Sequence, residues 1–292
     1  MAPGIGFAVA AALVWGVYLF VLKRSFDGFP ATVLIVYANG FALVWYTPVL
    51  LASVGVDGTR TAIAGLDSSQ LALLVLTAVM TAAAVVSFIR ALDVGEVSYV
   101  APISKIVPVF VLPIEVLLLQ QVLQPLQIAG VVVATVAVYV ANFRGGSLAA
   151  PIRRAATSRA AQLAVLSAAC FAVGDVAKRV ALQELAIPSA LWVPLLLGCV
   201  LVIVLPIAIR SHPETVRDDL PKLVALGAIV ALGEYLTTLA FAVIPASIAS
   251  PIVNTQAIVA VLLGGVLLDE QYFGTRLVAA LLAIIGVTMI AL

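Results

Sequence analysis

The amino-acid sequence predicts an all-α integral membrane protein with ten transmembrane helices, arranged as two inverted repeats of five helices each. Three observations support this prediction. The 292-residue chain is 64% hydrophobic and only 10% charged, with a mean hydropathy of +1.24. It contains ten apolar runs with the length of a membrane span. A proline-containing segment of the first half also recurs in the second half.

The composition excludes a soluble domain, because soluble domains carry roughly 25% charged residues. A bilayer core of ~30 Å requires about 20 apolar residues per helix. Because lipid offers no partner to backbone polar groups, such runs are expected to be helices. The apolar runs lie near 4–22, 30–54, 70–92, 97–119, 125–143, 160–182, 188–209, 221–242, 246–268 and 274–292.

The first run is interpreted as a retained helix rather than a signal peptide. It has no charged region before it and no clear Ala-x-Ala cleavage site, and Lys23-Arg24 follows it. Cys170 and Cys199 lie inside apolar runs, where small core residues are expected. The net charge of +1 is spread over short loops, so we expect a lipid bilayer and a small molecule as partners, and no nucleic acid.

The repeat is clearest where Val100-Ala-Pro-Ile-Ser-Lys105 matches Ala249-Ser-Pro-Ile-Val-Asn254. The offset of 149 continues to the pair Leu119-Gln-Gln and Leu268-Asp-Glu, and the earlier runs correspond at offsets of 155 to 158. The predicted repeats are residues 1–143 and 160–292, joined by a Gly-, Pro- and Arg-containing loop at 144–159. Since five helices are an odd number, the second repeat must enter the bilayer from the opposite side. Inverted repeats are typical of secondary transporters, whose substrate site lies near the bilayer midplane.

The basic residues predict an orientation. On a ten-helix count, eleven Lys and Arg residues lie on the face opposite the N-terminus and three on the N-terminal face, without Lys105, which lies inside a helix. The excess of basic residues marks the cytoplasmic side. Both termini are therefore expected outside a prokaryotic cytoplasmic membrane.

Several short motifs, in order along the chain, are similar to those of the drug/metabolite transporter superfamily, in its EamA-type exporter branch. They are Trp15-Gly16, Pro102, Pro251, Leu268-Asp269-Glu270 and Gly286-Val287. The first repeat departs from the pattern, because Leu119-Gln120-Gln121 lacks an acidic residue, and Cys170-Phe171-Ala172 lacks the tryptophan. The resemblance covers the whole chain. It implies export or exchange of small metabolites by alternating access. It also implies cytoplasmic termini, contrary to the charge distribution.

Lys105 is the first candidate for substrate or ion contact. An ionisable side chain inside a bilayer costs at least ~2.5–3.5 kcal/mol and therefore requires a reason. Lys105 lies between Pro102 and Pro108, and a proline within a helix removes a backbone donor and is expected to kink it. Adjacent Ser104 points about 100° away around the helix. A structural pairing of Lys105 with a carboxylate is the alternative interpretation.

Glu234 and the polar residues of the ninth run are the next candidates. A buried carboxyl whose protonation depends on neighbouring charges is suited to carrying a proton. We therefore predict coupling through Glu234 or Lys105, with an ion pair that only braces two helices as the alternative. Asn254, at the position equivalent to Lys105, and nearby Gln256 complete this candidate site.

Two further acidic residues are expected to have structural roles. Asp175 precedes Lys178 and Arg179 by three and four residues, a spacing that predicts a local cluster at the membrane edge. Glu115 lies near the end of its run, where its carboxylate is expected to reach the membrane interface.

Aromatic and amide side chains supply the remaining candidates. Trp15 and Tyr18 share a helix face, Asn39 places a polar group at depth, and Tyr235 adjoins Glu234. Helix packing is the competing interpretation of these residues. Small residues such as Gly227 and Ala231 are expected to permit close helix contacts. The nearly apolar fifth and tenth runs are expected outside the cavity, as bracing or as a dimer surface.

The alternatives are an integral-membrane enzyme, or a channel, receptor or scaffold. The single histidine, His212, is too isolated for a catalytic pair or a zinc site. Ser104 and Lys105 do not face each other on a helix, and no ATP-binding motif is present. We therefore expect a monomeric or homodimeric secondary transporter without catalytic residues, metal or cofactor. Its substrate is left open as a small polar or amphipathic metabolite, amino-acid-like or drug-like.

Overall fold

The computed structural model describes residues 3–26, 28–95, 100, 103–104, 106–120, 124–141, 157–211, 214–256, 258–259, 262–263 and 273–291, and every regular element in these ranges is helical. The helices are α1 Pro3–Ser25, α2 Ala31–Ser53, α3 Gly55–Ala64, α4 Ser68–Val94, α5 Val107–Leu119, α6 Pro125–Ala141, α7 Arg159–Arg179, α8 Ser189–Ala208, α9 Leu220–Phe241, α10 Ala246–Asn254 and α11 Phe273–Ala291. A π-helical turn at Val180–Glu184 extends α7, and short 3-10 turns follow α8.

Among these helices, six are long and apolar enough to cross a membrane: α1, α2, α4, α8, α9, and α7 with its π-helical turn. The predicted all-helical membrane protein is therefore confirmed, whereas the count of ten spans stays a prediction. The run at 97–119 is not one continuous helix, because Ile106, with ψ 12°, lies outside α5. The predicted irregularity beside Pro108 is present as a break before the proline, which takes its place in the first turn of α5.

Helix starts follow local signals. Pro30 precedes α2 and Pro188 precedes α8, with φ of −58° in both, which suits the entry into a helix. Asp67 caps α4 by accepting hydrogen bonds from the Ser69 and Gln70 backbone N–H groups, while the Gln70 side chain accepts from the Asp67 N–H. The Ser69 hydroxyl, followed by the Gln70 N–H, lowers the pKa of Asp67 from its ordinary value.

Helix α3 was not predicted from the sequence. It begins at Gly55, whose φ of +74° turns the chain out of α2, and none of its ten residues is buried. Its length is half that of a membrane span, so no apolar run of that size marks it in the sequence.

The two halves of the chain pack mainly against each other. Helix α1 contacts α9 and α10, and in the same way α7 contacts α4 and α5. Helix α7 is the counterpart of α1 in the other repeat, and α4 and α5 are the counterparts of α9 and α10. The two sets of contacts are therefore equivalent. Two further pairs, α2 with α8 and α6 with α11, join counterparts directly. Each half therefore supplies the packing surface for the other.

The helix directions agree with an inversion of the second repeat. Gly4 lies against Ile244 while Trp15 lies against Gly233, so α1 and α9 are antiparallel. Helices α7 and α9 are parallel, because hydrogen bonds join Lys178 to Glu234 and Gln183 to Phe241. Helix α1 and its counterpart α7 consequently run in opposite directions.

Gly227 permits the close approach of α2 and α9 that its small size predicted. A Cβ atom at this position would lie 2.4 Å from Phe41 Cβ and 2.9 Å from the backbone nitrogen of Ala42. Small residues at helix contacts are a general feature of membrane bundles.

Candidate functional site

A cavity lies between the two halves of the chain, and together with the solvent at its open mouth it contains about 1200 Å³ of space between atoms. Its described walls come from α1, α2, α4 and α5 of the first half, and from α7, α8, α9, α10 and Gln256 of the second. No described residue of α6 or α11 is among them; these two helices pack against each other at the side, as the sequence predicted.

An ion pair is built into the cavity wall. Lys178 on α7 donates from Nζ to Glu234 Oε1 on α9 at 2.5 Å, and the two side chains are 7% and 12% exposed. Nζ also lies 5.8 Å from the ring centre of Phe241, a cation–π distance. The Thr238 hydroxyl donates to the same Glu234 oxygen at 3.4 Å. Glu234, predicted as a coupling residue, therefore lines the cavity with Lys178 as its partner.

A second polar chain links α7 to α10. The Ser250 hydroxyl donates to Asp175 Oδ2 at 2.6 Å, and the Asn254 side-chain amide donates to the Ser250 carbonyl at 2.7 Å. Asp175 and Asn254 both line the cavity. Because Asp175 and Lys178 are three residues apart, they lie on one face of α7 and present opposite charges along the same wall.

Asp175, Lys178 and Arg179 were expected to satisfy one another as a local cluster, but each has a partner outside this group. The three side chains bind different partners: Ser250, Glu234 and, for Arg179, Glu184 at 2.7 Å. The spacing correctly placed them near one another on the helix.

The aromatic wall on α1 is positioned through α9. Trp15 Nε1 donates to the Thr237 hydroxyl at 2.9 Å, and this hydroxyl donates to the Gly233 carbonyl at 2.7 Å. Gly233 makes room for the indole, since a Cβ there would lie 2.8 Å from a Trp15 ring carbon. Tyr18 packs edge-to-face on Trp15 with ring centres 5.3 Å apart, and both residues line the cavity.

Two amides in the cavity wall have no hydrogen-bond partner among the described residues. Asn39 on α2 is 8% exposed and Gln256, just beyond α10, is 7% exposed, and both line the cavity. Neither side chain forms a hydrogen bond with another described residue. An unpaired amide away from bulk water is unfavourable, so both groups are available to a molecule in the cavity.

The remaining candidates lie elsewhere. Tyr235 packs on Tyr46, with ring centres 5.7 Å apart, and Ser104 is completely buried; neither is among the residues that line the cavity. Lys105 lies outside the described residues, so its role stays a prediction. Within the described part of the chain, no three side chains of the His, Cys, Asp or Glu type come together in a way that could hold a metal ion.

The expectation that Glu115 reaches the membrane interface is wrong. Its side chain is completely buried, and its two oxygens accept hydrogen bonds from the backbone N–H groups of Ala246 and Ser247, each at 3.0 Å. These N–H groups have no partner within α10 because they begin the helix, and the start of a helix attracts negative charge. Sequence distance along α5 gave no sign of this contact with the other half of the chain.

Comparison with known proteins identifies the fold and the family. The family model described as "EamA-like transporter family" matches residues 2–143 and 158–292. A solved structure, described only as "Crystal structure of protein", aligns with a TM-score of 0.76 and 15% identity over 99% of this chain and 96% of that chain. At this identity the likeness shows the fold alone. The comparison with curated proteins gave no match.

Proposed function

Since the chain belongs to the EamA-like transporter family, we propose that this membrane transporter is a secondary carrier that exports a small polar or amphipathic metabolite by alternating access. The observation that carries the proposal is the cavity between the two halves, whose mostly apolar wall holds the Lys178–Glu234 ion pair, Asp175, Asn254 and two amides without a partner among the described residues. Small-molecule sites have this composition, in which apolar side chains supply contact area and a few polar groups supply orientation. Rocking of one repeat against the other would expose this cavity to each side of the membrane in turn.

The substrate is proposed to contact three groups of residues. Asn39 and Gln256 offer amide groups that form no hydrogen bond with another described residue. Lys178, Glu234 and Asp175 offer charges of both signs. Trp15 and Tyr18 offer an aromatic surface for an apolar part of the molecule. An amino-acid-like or drug-like compound combines these features.

Proton coupling is proposed to act through Glu234. A proton on this carboxyl would remove the charge that holds Lys178, and the free ammonium group could then move or bind the substrate. In this proposal, the 2.5 Å contact between Lys178 and Glu234 is the state before the carboxyl is protonated. Lys105, by its sequence position, remains the second proposed coupling residue.

Transport by the purified protein tests the proposal. A thermal-shift screen of metabolites identifies a ligand, and uptake of that ligand into reconstituted vesicles is measured with and without a pH gradient. We expect the gradient to drive accumulation, and Glu234→Gln to abolish this dependence. Glu184→Gln is the matched control, because this carboxylate also pairs with a basic side chain but is half exposed and does not line the cavity.

Three results would change the proposal. Flux that requires substrate on both sides of the membrane and does not depend on the pH gradient would identify an exchanger without ion coupling. Normal coupled transport by both Glu234→Gln and Lys105→Gln would exclude the proposed coupling site. A purified protein that binds ligands but moves none across the bilayer would favour a receptor.

The orientation is proposed from the basic residues, with both termini outside the cytoplasmic membrane. Of the three basic residues expected on the N-terminal face, Lys178 is buried in an ion pair, so the excess of basic residues on the opposite face is larger. A reporter enzyme fused at the C-terminus would test the orientation. Activity of an alkaline phosphatase fusion is expected, whereas activity of a cytoplasmic reporter would support the usual family orientation.

A further inference from the structure

The corner between α9 and α10 is bound by two polar side chains from distant parts of the chain. Gln183, in the π-helical turn after α7, donates from its amide to the Phe241 carbonyl at 2.7 Å and the Ile244 carbonyl at 2.8 Å. Glu115 accepts from the N–H groups of Ala246 and Ser247. One side chain thus satisfies carbonyls where α9 ends, and the other satisfies the donors where α10 begins.

Capping a helix with the buried carboxylate of Glu115 carries a large desolvation cost. Its side chain is 0% exposed, and an ionised group that is buried needs strong compensation. Two charge-assisted hydrogen bonds and the positive end of α10 supply it. The energy of the buried charge therefore depends on α10 remaining where it is.

The two contacts differ in what they connect. Gln183 and the corner both belong to the second repeat, so their contact can move with that repeat as one body. Glu115 belongs to α5 of the first repeat, so its contact crosses between the repeats. The Glu115 contact lies on the N-terminal face of the protein. The same face holds Gly4, which packs on Ile244, and Gln70, whose side chain donates to the Leu185 carbonyl at 3.0 Å.

Helix α10 is part of the cavity wall. It carries Ser250, which binds Asp175, and Asn254, which lines the cavity. Phe241, at the other side of the corner, lines the cavity as well. A displacement of the corner away from α5 would therefore separate the two halves in the part of the cavity wall nearest the N-terminal face.

We propose that Glu115 is a positioning residue that holds the start of α10 against α5 and keeps the cavity closed at the N-terminal face. Opening at this face requires both of its hydrogen bonds to break, whereas the Gln183 contacts stay intact. The inference rests on the proposed alternating-access function, but it concerns one contact and can fail separately.

The test measures access to the cavity from one side. A reporter cysteine replaces Val85, a cavity-lining residue of α4, in a background where Cys170 and Cys199 are alanine. The protein is reconstituted in one orientation, and a charged, membrane-impermeant thiol reagent is added on the N-terminal side. Glu115→Gln removes the charge and replaces one acceptor oxygen with a donor. We expect it to increase the labelling rate about tenfold, which corresponds to a shift of about 1.4 kcal/mol toward the open state.

Two variants make the result specific. Ala246→Pro removes one donor and leaves Glu115 in place; proline suits the first turn of a helix, and the ψ of 152° at Pro245 is compatible with a following proline. We expect it to increase labelling as well, and it decides the question if Glu115→Gln does not fold. Gln183→Leu is the control within one repeat, and it is expected to lower thermal stability while the labelling rate stays within twofold.

Unchanged labelling in Ala246→Pro and in any folded Glu115→Gln would overturn the inference. An equal increase in Gln183→Leu would also overturn it, since loosening the corner in any way would then suffice. Labelling needs no substrate, so a protein that transports nothing can still show the Glu115 effect. A protein that transports normally with unchanged labelling rates would refute only the role of Glu115.

Discussion

The ion pair between Lys178 and Glu234 allows a quantitative test of the cavity wall. The two groups are 2.5 Å apart and their side chains are only 7% and 12% exposed. Removing one partner leaves the other charge buried and unpaired, which typically costs 3–5 kcal/mol, whereas replacing both with apolar residues is often neutral. We therefore expect Lys178→Met and Glu234→Met each to lower the free energy of unfolding by about 3–5 kcal/mol. The double variant should lose less than either single variant.

The assay is a double-mutant cycle on unfolding in mixed micelles with increasing denaturing detergent. The matched control is a cycle on Arg179 and Glu184, which are 2.7 Å apart but leave the Glu184 side chain 47% exposed. That cycle should give a coupling below about 1 kcal/mol, because exposed ion pairs contribute little. Equal couplings in the two cycles, or single variants at Lys178 and Glu234 that cost less than about 1 kcal/mol each, would refute the reasoning. The stable double variant should still fail in proton-driven uptake, which separates the fold from the coupling.

Three other substitutions probe packing and binding separately. Gly227→Val should destabilise the protein by about 1–3 kcal/mol or more, because the new Cβ would lie 2.4 Å from Phe41 Cβ. Normal thermal stability would show that α2 and α9 can move apart at little cost in free energy. Asn39→Ala should leave stability nearly unchanged, since its amide has no described protein partner, and should raise KM about 2- to 10-fold; an unchanged KM would remove Asn39 from the site. Ser250→Ala removes the 2.6 Å hydrogen bond to Asp175 and should lower the free energy of unfolding by about 1.5–3 kcal/mol; Ser250→Thr, which keeps the hydroxyl, should recover part of the loss.

Several features were determined by the sequence alone, since they depend on composition and on spacing along the chain. The apolar runs predicted helices, because a chain in lipid must satisfy its backbone groups within each helix. The recurrence of Pro102 as Pro251 predicted two repeats, and the family match over 2–143 and 158–292 agrees with this organisation. Trp15, Tyr18, Asn39, Asn254 and Glu234 were found at depth within apolar runs, and the structure places all five at the cavity.

The tertiary structure alone decided which partner each charge takes. Spacing suggested that Asp175 and Lys178 form a local cluster and that Glu115 reaches the interface, but all three side chains bind residues 56 to 132 positions away in the sequence. A helical pattern records which side chains share a face, and it carries no information on which other helix that face meets. Inside a bilayer every buried charge must find a partner, so the partners were set by how the two repeats interlock.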